Sequence, residues 1–448
     1  MKKFFETLSN IWKIEDLRVR ITNTFLFLLI YRVGSFVVLP GVDPTSLTNA
    51  SKGKEGLMGL LNMFAGGSFS RESIFALGVM PYISASIVVQ LLGIAVPYFT
   101  KLQKEGESGR NKLNQWTRYI TIGITALQAI GYVSSQVSPE AKLLPEPFFT
   151  VLSVFVLTAG TLFVMWLGEK ITDKGIGNGI SLIIMVGIIA QLPFALGTEF
   201  SSRINGVGGP FVFVVEIIAL IAVVMFTILI VQGTRKIAVQ YAKRIVGNKQ
   251  YGGVRQYIPL KVNAAGVMPI IFAQALMFLP GMVSQFFPST ASSGILIALA
   301  DYTSWGHNLL FAFLIIVFTY FYTAITVNPN QMADDMKKNG GFIPGVKPGK
   351  TTADYIDGVI SRITLPGSIL LATIAILPAI ATTLGVNNQF ARFFGGTSLI
   401  ILVGVVLDTL QQIESHLLMR HYDGLMKTGR IKGRIAIPTA AGTIPPAI

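Results

Sequence analysis

Long apolar segments alternate with polar, charged stretches along most of the chain. Each apolar segment runs for about 20 residues, which is the length that an α-helix needs to cross roughly 30 Å of hydrocarbon. Most segments contain Gly or Pro, which membrane helices tolerate where neighbouring groups satisfy the freed backbone. The pattern predicts ten transmembrane helices, near residues 21–39, 74–96, 117–137, 148–168, 176–194, 210–232, 264–286, 308–327, 365–385 and 397–413.

One apolar stretch between the first two predicted spans does not fit this pattern. Gly56–Ser70 is too short and too rich in Gly to cross a bilayer, but too apolar for an ordinary solvated loop. Irregular backbone at membrane depth must be buried in protein or line a cavity. The stretch therefore predicts either a short re-entrant or plugging segment, or an interfacial helix that lies on the outer leaflet.

Composition supports the membrane class and excludes several kinds of site. Of the 448 residues, 52% are hydrophobic and 13% are charged, and mean hydropathy is +0.61, whereas soluble domains carry about 25% charged residues. The chain has no Cys, which excludes disulfides and thiolate metal sites, and its three His are too few for a usual all-histidine zinc centre. The first residues have no short apolar core with a cleavage site, so we expect no removable signal peptide.

The charge distribution predicts the orientation of the chain. The net charge is +14, and most of the 36 basic residues fall in the two termini and in alternate loops. Because Lys and Arg concentrate in cytoplasmic loops, both termini are expected in the cytoplasm. An even number of spans agrees with this orientation.

Two of the basic loops, 233–262 and 328–363, are longer and more highly charged than topology alone requires. Basic loops can simply set orientation and contact anionic lipid. A basic patch also attracts RNA phosphate or an acidic protein surface. We therefore expect docking surfaces for a large acidic partner, formed by Arg235, Lys236, Lys243, Arg244, Lys249, Arg255, Lys337, Lys338, Lys347 and Lys350.

Ten spans divide into two sets of five, and an odd number in each set gives the two halves inverted topology. Inverted repeats place a pathway at the interface between the halves. We expect an N-terminal half over 1–194, a C-terminal half over 195–414 and a cytoplasmic tail over 415–448. The fold class is therefore an all-α integral membrane protein. Arg32, Glu216 and Asp408 lie in or near the spans and are interpreted as structural charges.

Motifs that resemble nucleotide or metal sites do not meet their requirements. A P-loop has four residues between its glycines, whereas Gly345 and Gly349 are separated by three. The Gly175–Gly179 run lacks a surrounding βαβ unit and predicts a tight turn into the fifth span. His416 and His421 are five residues apart, where a helical metal pair requires four. No catalytic residue, metal site or cofactor is predicted.

Several motifs together resemble the SecY family, the channel-forming subunits of the bacterial Sec protein translocon. They occur in the family's order, as ALGVMPYISASIVVQLL at 76–92, KEGESGR at 104–110, GIGNGIS at 175–181, LKVNAAGVMP at 260–269, NP at 328–329, PG at 344–345 and FGGTS at 394–398. The resemblance implies a ten-helix clamshell of two five-helix halves around a central pore, with Gly56–Ser70 as a re-entrant plug helix. It also implies a conduit for unfolded secretory proteins that releases apolar helices sideways into lipid.

The same resemblance assigns roles to individual residues. It implies a pore constriction of Val79, Ile83, Ile180, Ile184, Ile271 and Ile401, and a plug that includes Leu60, Asn62, Met63, Phe64, Gly66 and Gly67. A lateral gate would lie between the second span (Ser84, Ile87, Gln90) and the seventh (Asn263, Met268, Phe272, Gln274), with a hydrogen bond between the amides of Gln90 and Asn263.

Partners are also implied by the resemblance. They are the SecE and SecG subunits, the SecA ATPase, the ribosome with its rRNA, secretory and membrane protein precursors, the lipid bilayer, and SecD/SecF and YidC as accessory partners. Lys347 stands where the family usually has Arg, and the two side chains differ in donor geometry. The location implied is the bacterial cytoplasmic (inner) membrane, with multiple spans.

Two other function classes compete with this interpretation. A secondary transporter would need a specific solute site and coupling ions, and the charges within the spans are too few and scattered for such a track. An intramembrane protease would need a catalytic dyad within the spans, and the sequence offers no convincing serine–histidine or paired-aspartate arrangement. The short apolar stretch and the long basic loops favour the conduit.

Overall fold

A computed structural model describes residues 12, 14–43, 62–137, 141–206, 209–241, 244–246, 249–251, 255–286, 299, 301 and 303–427. The architecture is a bundle of long helices with a small β-structure at one end. The tail segment 428–448 and the first part of the predicted plug lie outside the described residues.

A helix occupies each of the ten predicted spans. Six of the described helices, and a seventh if a bent pair counts as one span, are long and apolar enough to cross a membrane. The protein is therefore a multi-pass membrane protein. The ten helices are α1 (Glu15–Gly34), α2 (Met80–Ala95), α4 (Glu107–Gln136), α5 (Phe148–Lys174), α6 (Gly179–Asn205), α7 (Gly209–Gln232), α8 (Met268–Phe286), α9 (Trp305–Thr326), α11 (Lys350–Thr383) and α13 (Gly396–Lys427).

Several helices begin or end away from the predicted span limits. Three shorter helices, α3 (Pro97–Lys104), α10 (Pro329–Lys338) and α12 (Asn388–Ala391), lie between them. The pair α2 and α3 bends by 103° where Pro97, which has no backbone N–H, begins the second helix. In contrast, α11 begins well before the predicted span, because its first turns leave the apolar region and continue into a separate core.

The two long loops are not independent loops, as the sequence pattern suggests, but parts of one β-structure. Strand β1 (Thr234–Tyr241) pairs antiparallel with β4 (Arg255–Lys261) and with β5 (Gly341–Phe342), while β2 (Arg244–Val246) pairs with β3 (Lys249–Tyr251). Side chains of β1 and β4 pack with α10 and the start of α11 around Val239 and Ile356. We call this unit the β-module. The strands are few and short, and the protein is mostly helical, as predicted.

The helices contact one another in two groups. In the first, α1 packs on α5 and α6, α4 packs on α2 and α5, and α5 packs on α6. In the second, α8 packs on α9, α9 packs on α11, and α7 packs on α11 and α13. The groups meet where α6 contacts α7 and α13, and where α4 contacts α8.

The glycine run between α5 and α6 forms the tight turn predicted from sequence. Gly177 has φ +84°, which Gly adopts without strain, and Asn178 caps α6 by accepting a hydrogen bond from the Ser181 N–H at 3.3 Å. A Cβ on Gly179 would lie 1.9 Å from the Gly168 carbonyl oxygen. The Gly177 N–H donates to Gln412 Oε1 of α13 at 2.8 Å, so this turn also joins the two helix groups.

A buried ion cluster joins the two groups at the end of α7 opposite the β-module. Arg203 Nε lies 2.8 Å from Glu199 Oε1, and Arg203 Nη2 donates to Glu216 Oε1 at 2.5 Å. The same guanidinium donates to the Gly385 carbonyl at 2.8 Å, while Glu199 Oε2 accepts from the Asn387 N–H at 3.0 Å. Glu199 and Glu216 are buried. The cluster therefore connects the end of α6, the start of α7 and the turn before α12.

Arg203→Gln is expected to destabilise the protein strongly, because it leaves two buried carboxylates without their shared cation. Removing one partner of a buried ion pair typically costs about 3–5 kcal/mol. Thermal unfolding of the detergent-solubilised protein measures the loss. The matched control is Arg118→Gln, which breaks a more exposed pair with Glu169 (2.6 Å) and should cost about 1 kcal/mol or less. Equal losses in the two variants would show that the buried cluster has no special role.

Candidate pore, gate and docking surface

All six residues of the expected constriction belong to one apolar cluster at the centre of the bundle. Val79, Ile184 and Ile401 are among its buried members, and Ile83, Ile180 and Ile271 pack against it. Val79 directly precedes α2, and the other five side chains come from α2, α6, α8 and α13, and thus from both helix groups. The structure therefore brings together branched apolar residues that are widely separated in sequence.

Residues 62–64 are helical, and residues 65–79 form turns, with a β-bridge at Ser73, that enter the same cluster. Met63 and Phe64 are buried in the cluster with Ile184 and Ile401. The described part of the short apolar stretch is therefore buried within the protein rather than lying on its surface as an interfacial helix. Leu60 lies outside the described residues.

The turn at Gly66 approaches α6 very closely. A Cβ on Gly187 would lie 2.9 Å from the Phe64 carbonyl oxygen, and one on Gly66 would lie 3.0 Å from the Gly187 Cα. Gly66 also has φ +65° and Gly67 has φ +88°. Gln191 Nε2 of α6 donates to the Asn62 carbonyl at 2.8 Å. Glycines at these positions thus let backbone pack directly against backbone.

The expected amide pair between Gln90 and Asn263 is not formed. Gln90 Oε1 accepts a hydrogen bond from the Tyr322 hydroxyl of α9, and Gln90 Nε2 donates to Ser86 Oγ at 3.2 Å. Asn263 is buried, and its Oδ1 has no hydrogen-bond partner within the described part of the chain. The polar link from α2 therefore reaches α9 rather than the residues before α8.

Apolar contacts reinforce this link. Ile87 packs against a small cluster that contains Phe272 of α8 and Tyr322. The Phe272 and Tyr322 rings meet edge to face, with centroids 4.8 Å apart. Tyr322 is absent from the gate residues expected from the sequence, although a Tyr in an apolar span needs a hydrogen-bond partner for its hydroxyl, which is a signal that the sequence contains.

The other expected gate residues have varied environments. Ser84 Oγ donates to the Met80 carbonyl at 3.2 Å within α2, and Met268 is exposed. Gln274 is buried and lines a cavity of about 40 Å³ with residues of α9, α11 and α13. Among the described residues that line this cavity, none belongs to α2. A gate role for Gln274 remains a prediction.

Basic side chains from both long loops lie on the β-module. Pairing of β1 with β5 brings the two loops together, and each of the described side chains expected to dock a partner is exposed. Arg244 and Lys249 lie on strands β2 and β3, and Lys243 lies outside the described residues. The exposed set consists of Arg235, Lys236, Arg255, Lys337, Lys338, Lys347 and Lys350.

Among the described residues, no group of three or more His, Asp and Glu side chains could hold a metal ion. The chemically distinctive features are the expected constriction, the segment that packs against it and the basic surface of the β-module. The constriction, called the collar below, consists of Val79, Ile83, Ile180, Ile184, Ile271 and Ile401.

Solved structures with a similar fold are protein channels. One, described as a protein-conducting channel, has a TM-score of 0.64 and 18% identity, and the match covers 89% of this chain and 92% of that one. Another, Sec61 in a canine ribosome–channel complex from the endoplasmic reticulum, has a TM-score of 0.60 and 17% identity over 89% of this chain and 92% of that one. At this level of identity the likeness concerns the fold.

Closer relatives establish the family. The SecY family model matches residues 73–410. The protein translocase subunit SecY of Streptomyces scabiei is 44% identical over 93% of this chain and 98% of its own length. The SecY subunit of Halalkalibacterium halodurans is 46% identical over 94% of this chain and all of its own length. The chain therefore belongs to the SecY family of protein translocase subunits.

Proposed function

We propose that the chain forms a protein-conducting channel whose pore passes through the central apolar cluster. The observation that carries this proposal is the convergence of Val79, Ile83, Ile180, Ile184, Ile271 and Ile401 in one cluster with residues 63 and 64. A narrow collar of apolar side chains resists water and ions, because hydrated species lose their hydration shell without gaining polar contacts. Flexible isoleucine side chains can also fit around translocating chains of many sequences.

The segment Gly56–Ser70 acts as the plug of this pore, and the structure describes residues 62–70 of it. Irregular backbone at membrane depth must be buried or line a cavity, and residues 63–66, 68 and 69 of this segment are buried. In the resting protein the plug adds its own apolar side chains, Met63 and Phe64, to the seal. An unfolded secretory chain passes through the pore only when the plug leaves it.

The lateral gate runs between α2 on one side and α8 with α9 on the other. Its polar link is the Tyr322–Gln90 hydrogen bond, and interhelical bonds of this kind in membranes contribute about 1 kcal/mol. An apolar signal sequence that gains burial in lipid can compensate for so weak a bond. The gate thus opens sideways for apolar helices and stays closed to polar ones.

The two helix groups serve as two inverted halves, 1–194 and 195–414, that separate to open the pore, and 415–448 forms the tail. The excess of Lys and Arg in alternate loops places the β-module and both termini in the cytoplasm of a bacterium, with the bundle in the inner membrane. The protein has no chemical step of its own. A partner ATPase or the ribosome supplies the energy.

The exposed basic residues of the β-module form the docking surface for that partner. A ribosome is bound in the canine Sec61 complex, whose fold this chain shares. Clustered Lys and Arg attract rRNA phosphate and acidic protein surfaces. SecA is the corresponding ATPase, and SecE and SecG are the expected membrane partners, as in the SecY family generally.

A photo-crosslinking residue placed at Ile83 is expected to capture a secretory precursor that is stalled midway through export in cells. The reason is that the collar contacts the translocating chain along its circumference. Adducts should appear only with stalled precursors and disappear when the signal sequence is disabled. The matched control is Phe155, an exposed residue of α5, which should give no precursor adduct.

The pore assignment would be wrong if Ile83, Ile184 and Ile271 all failed to form adducts while the precursor was still exported. A solute-uptake screen would then test the competing transporter hypothesis.

Tyr322→Phe is expected to relax the signal requirement for export. The substitution removes the hydroxyl that bonds to Gln90 but keeps the ring contact with Phe272, so only the polar link is lost. A loss of about 1 kcal/mol should let precursors with weakened signals be exported severalfold faster. The control is Tyr320→Phe, whose hydroxyl lies 3.5 Å from the Ser361 carbonyl within the second helix group. Identical export rates for weak and strong signals in wild type and variant would contradict the gate.

Replacing Lys337 and Lys338 together by Gln is expected to weaken binding of the acidic partner. Exposed basic residues act through long-range attraction, so the loss should be largest at low salt and shrink as ionic strength rises. Binding of purified ribosomes to the reconstituted protein is measured at several salt concentrations, which gives the slope of the logarithm of the binding constant against the logarithm of the salt concentration. Replacing Arg18, an exposed cation of α1 outside the β-module, should leave that slope unchanged.

A further inference from the structure

Two arginines converge on one backbone carbonyl of the plug. Arg32 Nη1 of α1 donates to the Gly66 carbonyl oxygen at 2.8 Å, and Arg71 Nη2 donates to the same oxygen at 2.7 Å. Arg71 Nε also donates to the Gly67 carbonyl at 3.1 Å. Both guanidinium groups lie over the Phe36 ring, 4.9 Å and 4.3 Å from its centroid. The position of Gly66 thus depends on two cations that share one acceptor and one ring.

Neither arginine forms an ion pair with a carboxylate within the described part of the chain. A charged donor bonded to a neutral carbonyl makes a stronger hydrogen bond than two neutral groups. Two guanidinium groups close to one oxygen also repel each other. The arrangement is therefore specific in geometry and easier to break than a compensated salt bridge.

Polar contacts hold the plug to one side only. Among the described residues, every hydrogen bond between residues 62–71 and a helix goes to α1, α4 or α6. Tyr132 of α4 donates to the Phe69 carbonyl at 2.7 Å, and Gln191 of α6 donates to the Asn62 carbonyl at 2.8 Å. These three helices all belong to the N-terminal group.

The plug meets the C-terminal group through apolar side chains. Met63 and Phe64 share the central cluster with Phe390, Ile401 and Val405. Apolar contacts are non-directional and have no partner to leave unsatisfied, so they separate without orphaning a polar group. On the side of the N-terminal group, the plug separates less freely from the helices, because each plug carbonyl that accepts a hydrogen bond there would lose its partner.

We propose that Arg32 and Arg71 form a latch that keeps the plug attached to the N-terminal half. The inference depends on the proposed function of Gly56–Ser70 as the plug. Separation of the halves strips only the apolar contacts and leaves the plug on α1 and α6. The plug leaves the pore in a second step, when the latch also breaks. Both arginines are positioning residues for the seal, and neither contacts the translocating chain.

The test measures ion leakage through the resting channel, with the purified full chain in lipid vesicles and no precursor present. Arg32→Gln loses one charge-assisted hydrogen bond, and the fraction of channels with a displaced plug should rise about tenfold or more. Arg71→Gln should leak similarly, because it removes a donor to the same carbonyl. Arg18→Gln makes the same substitution on an exposed side chain of α1 and should not leak.

A second measurement separates loss of the latch from general damage. The chain has no Cys, so Cys introduced at Asn62 and Gln191 react without background. In the Arg32→Gln chain, a short bifunctional thiol cross-linker between them should restore the seal and lower leakage to the level of the unsubstituted chain.

The latch is overturned if both arginine variants are correctly folded and seal as tightly as the unsubstituted chain. It is also overturned if they leak but the cross-link does not reduce the leakage, because the arginines would then act elsewhere than on the plug. In either case the pore assignment is still supported if precursors cross-link at Ile83. Absence of Ile83 adducts would instead refute the pore itself.

Discussion

Hydrocarbon offers no hydrogen-bond partner, so every backbone amide and carbonyl at membrane depth must be satisfied by the protein. Helices meet this requirement by themselves, but a seal that has to move cannot be one more spanning helix. Residues 65–79 are therefore mostly turns rather than helix, and side chains of the surrounding helices supply partners for carbonyls of this region. Gln191, Arg32 and Tyr132 donate to the carbonyls of Asn62, Gly66 and Phe69. This requirement explains why a charged residue lies within the first span.

The collar has the opposite requirement, because a polar group there would attract water or ions. Polar connections between the two helix groups accordingly lie away from it. At one end the Arg203 cluster joins α6 to α7 and to the turn before α12. At the other end Gln412 accepts from the turn before α6. The Tyr322–Gln90 hydrogen bond is a third polar link between the groups. At the collar itself the groups meet through apolar side chains, which can separate and meet again without leaving a polar group unsatisfied.

Much of the fold was predictable from local pattern, and the departures have physical causes. All ten apolar segments contain helices, but hydropathy marks where a helix is apolar rather than where it ends. The helix α11 begins at Lys350, well before the apolar segment at 365, because its first turns bury Ile356 against β1 and α10. The β-module was predicted as two loops, since its strands are short. Its third strand, β5, also comes from the other loop, about a hundred residues further along the chain than β1.

Length, apolar character and the Lys and Arg bias are properties of each segment by itself, so the sequence alone determined the membrane class and predicted ten spans. The candidate collar residues followed from the resemblance of its motifs to the SecY family. Which polar groups meet is different, because a hydrogen bond in a bundle depends on the rotation and depth of two helices at once. Only the tertiary structure paired Gln90 with Tyr322, 232 residues away, rather than with Asn263. Likewise it alone placed Arg32 on the Gly66 carbonyl and joined two basic loops into one surface. Those contacts are long-range, and no local pattern of residues encodes them.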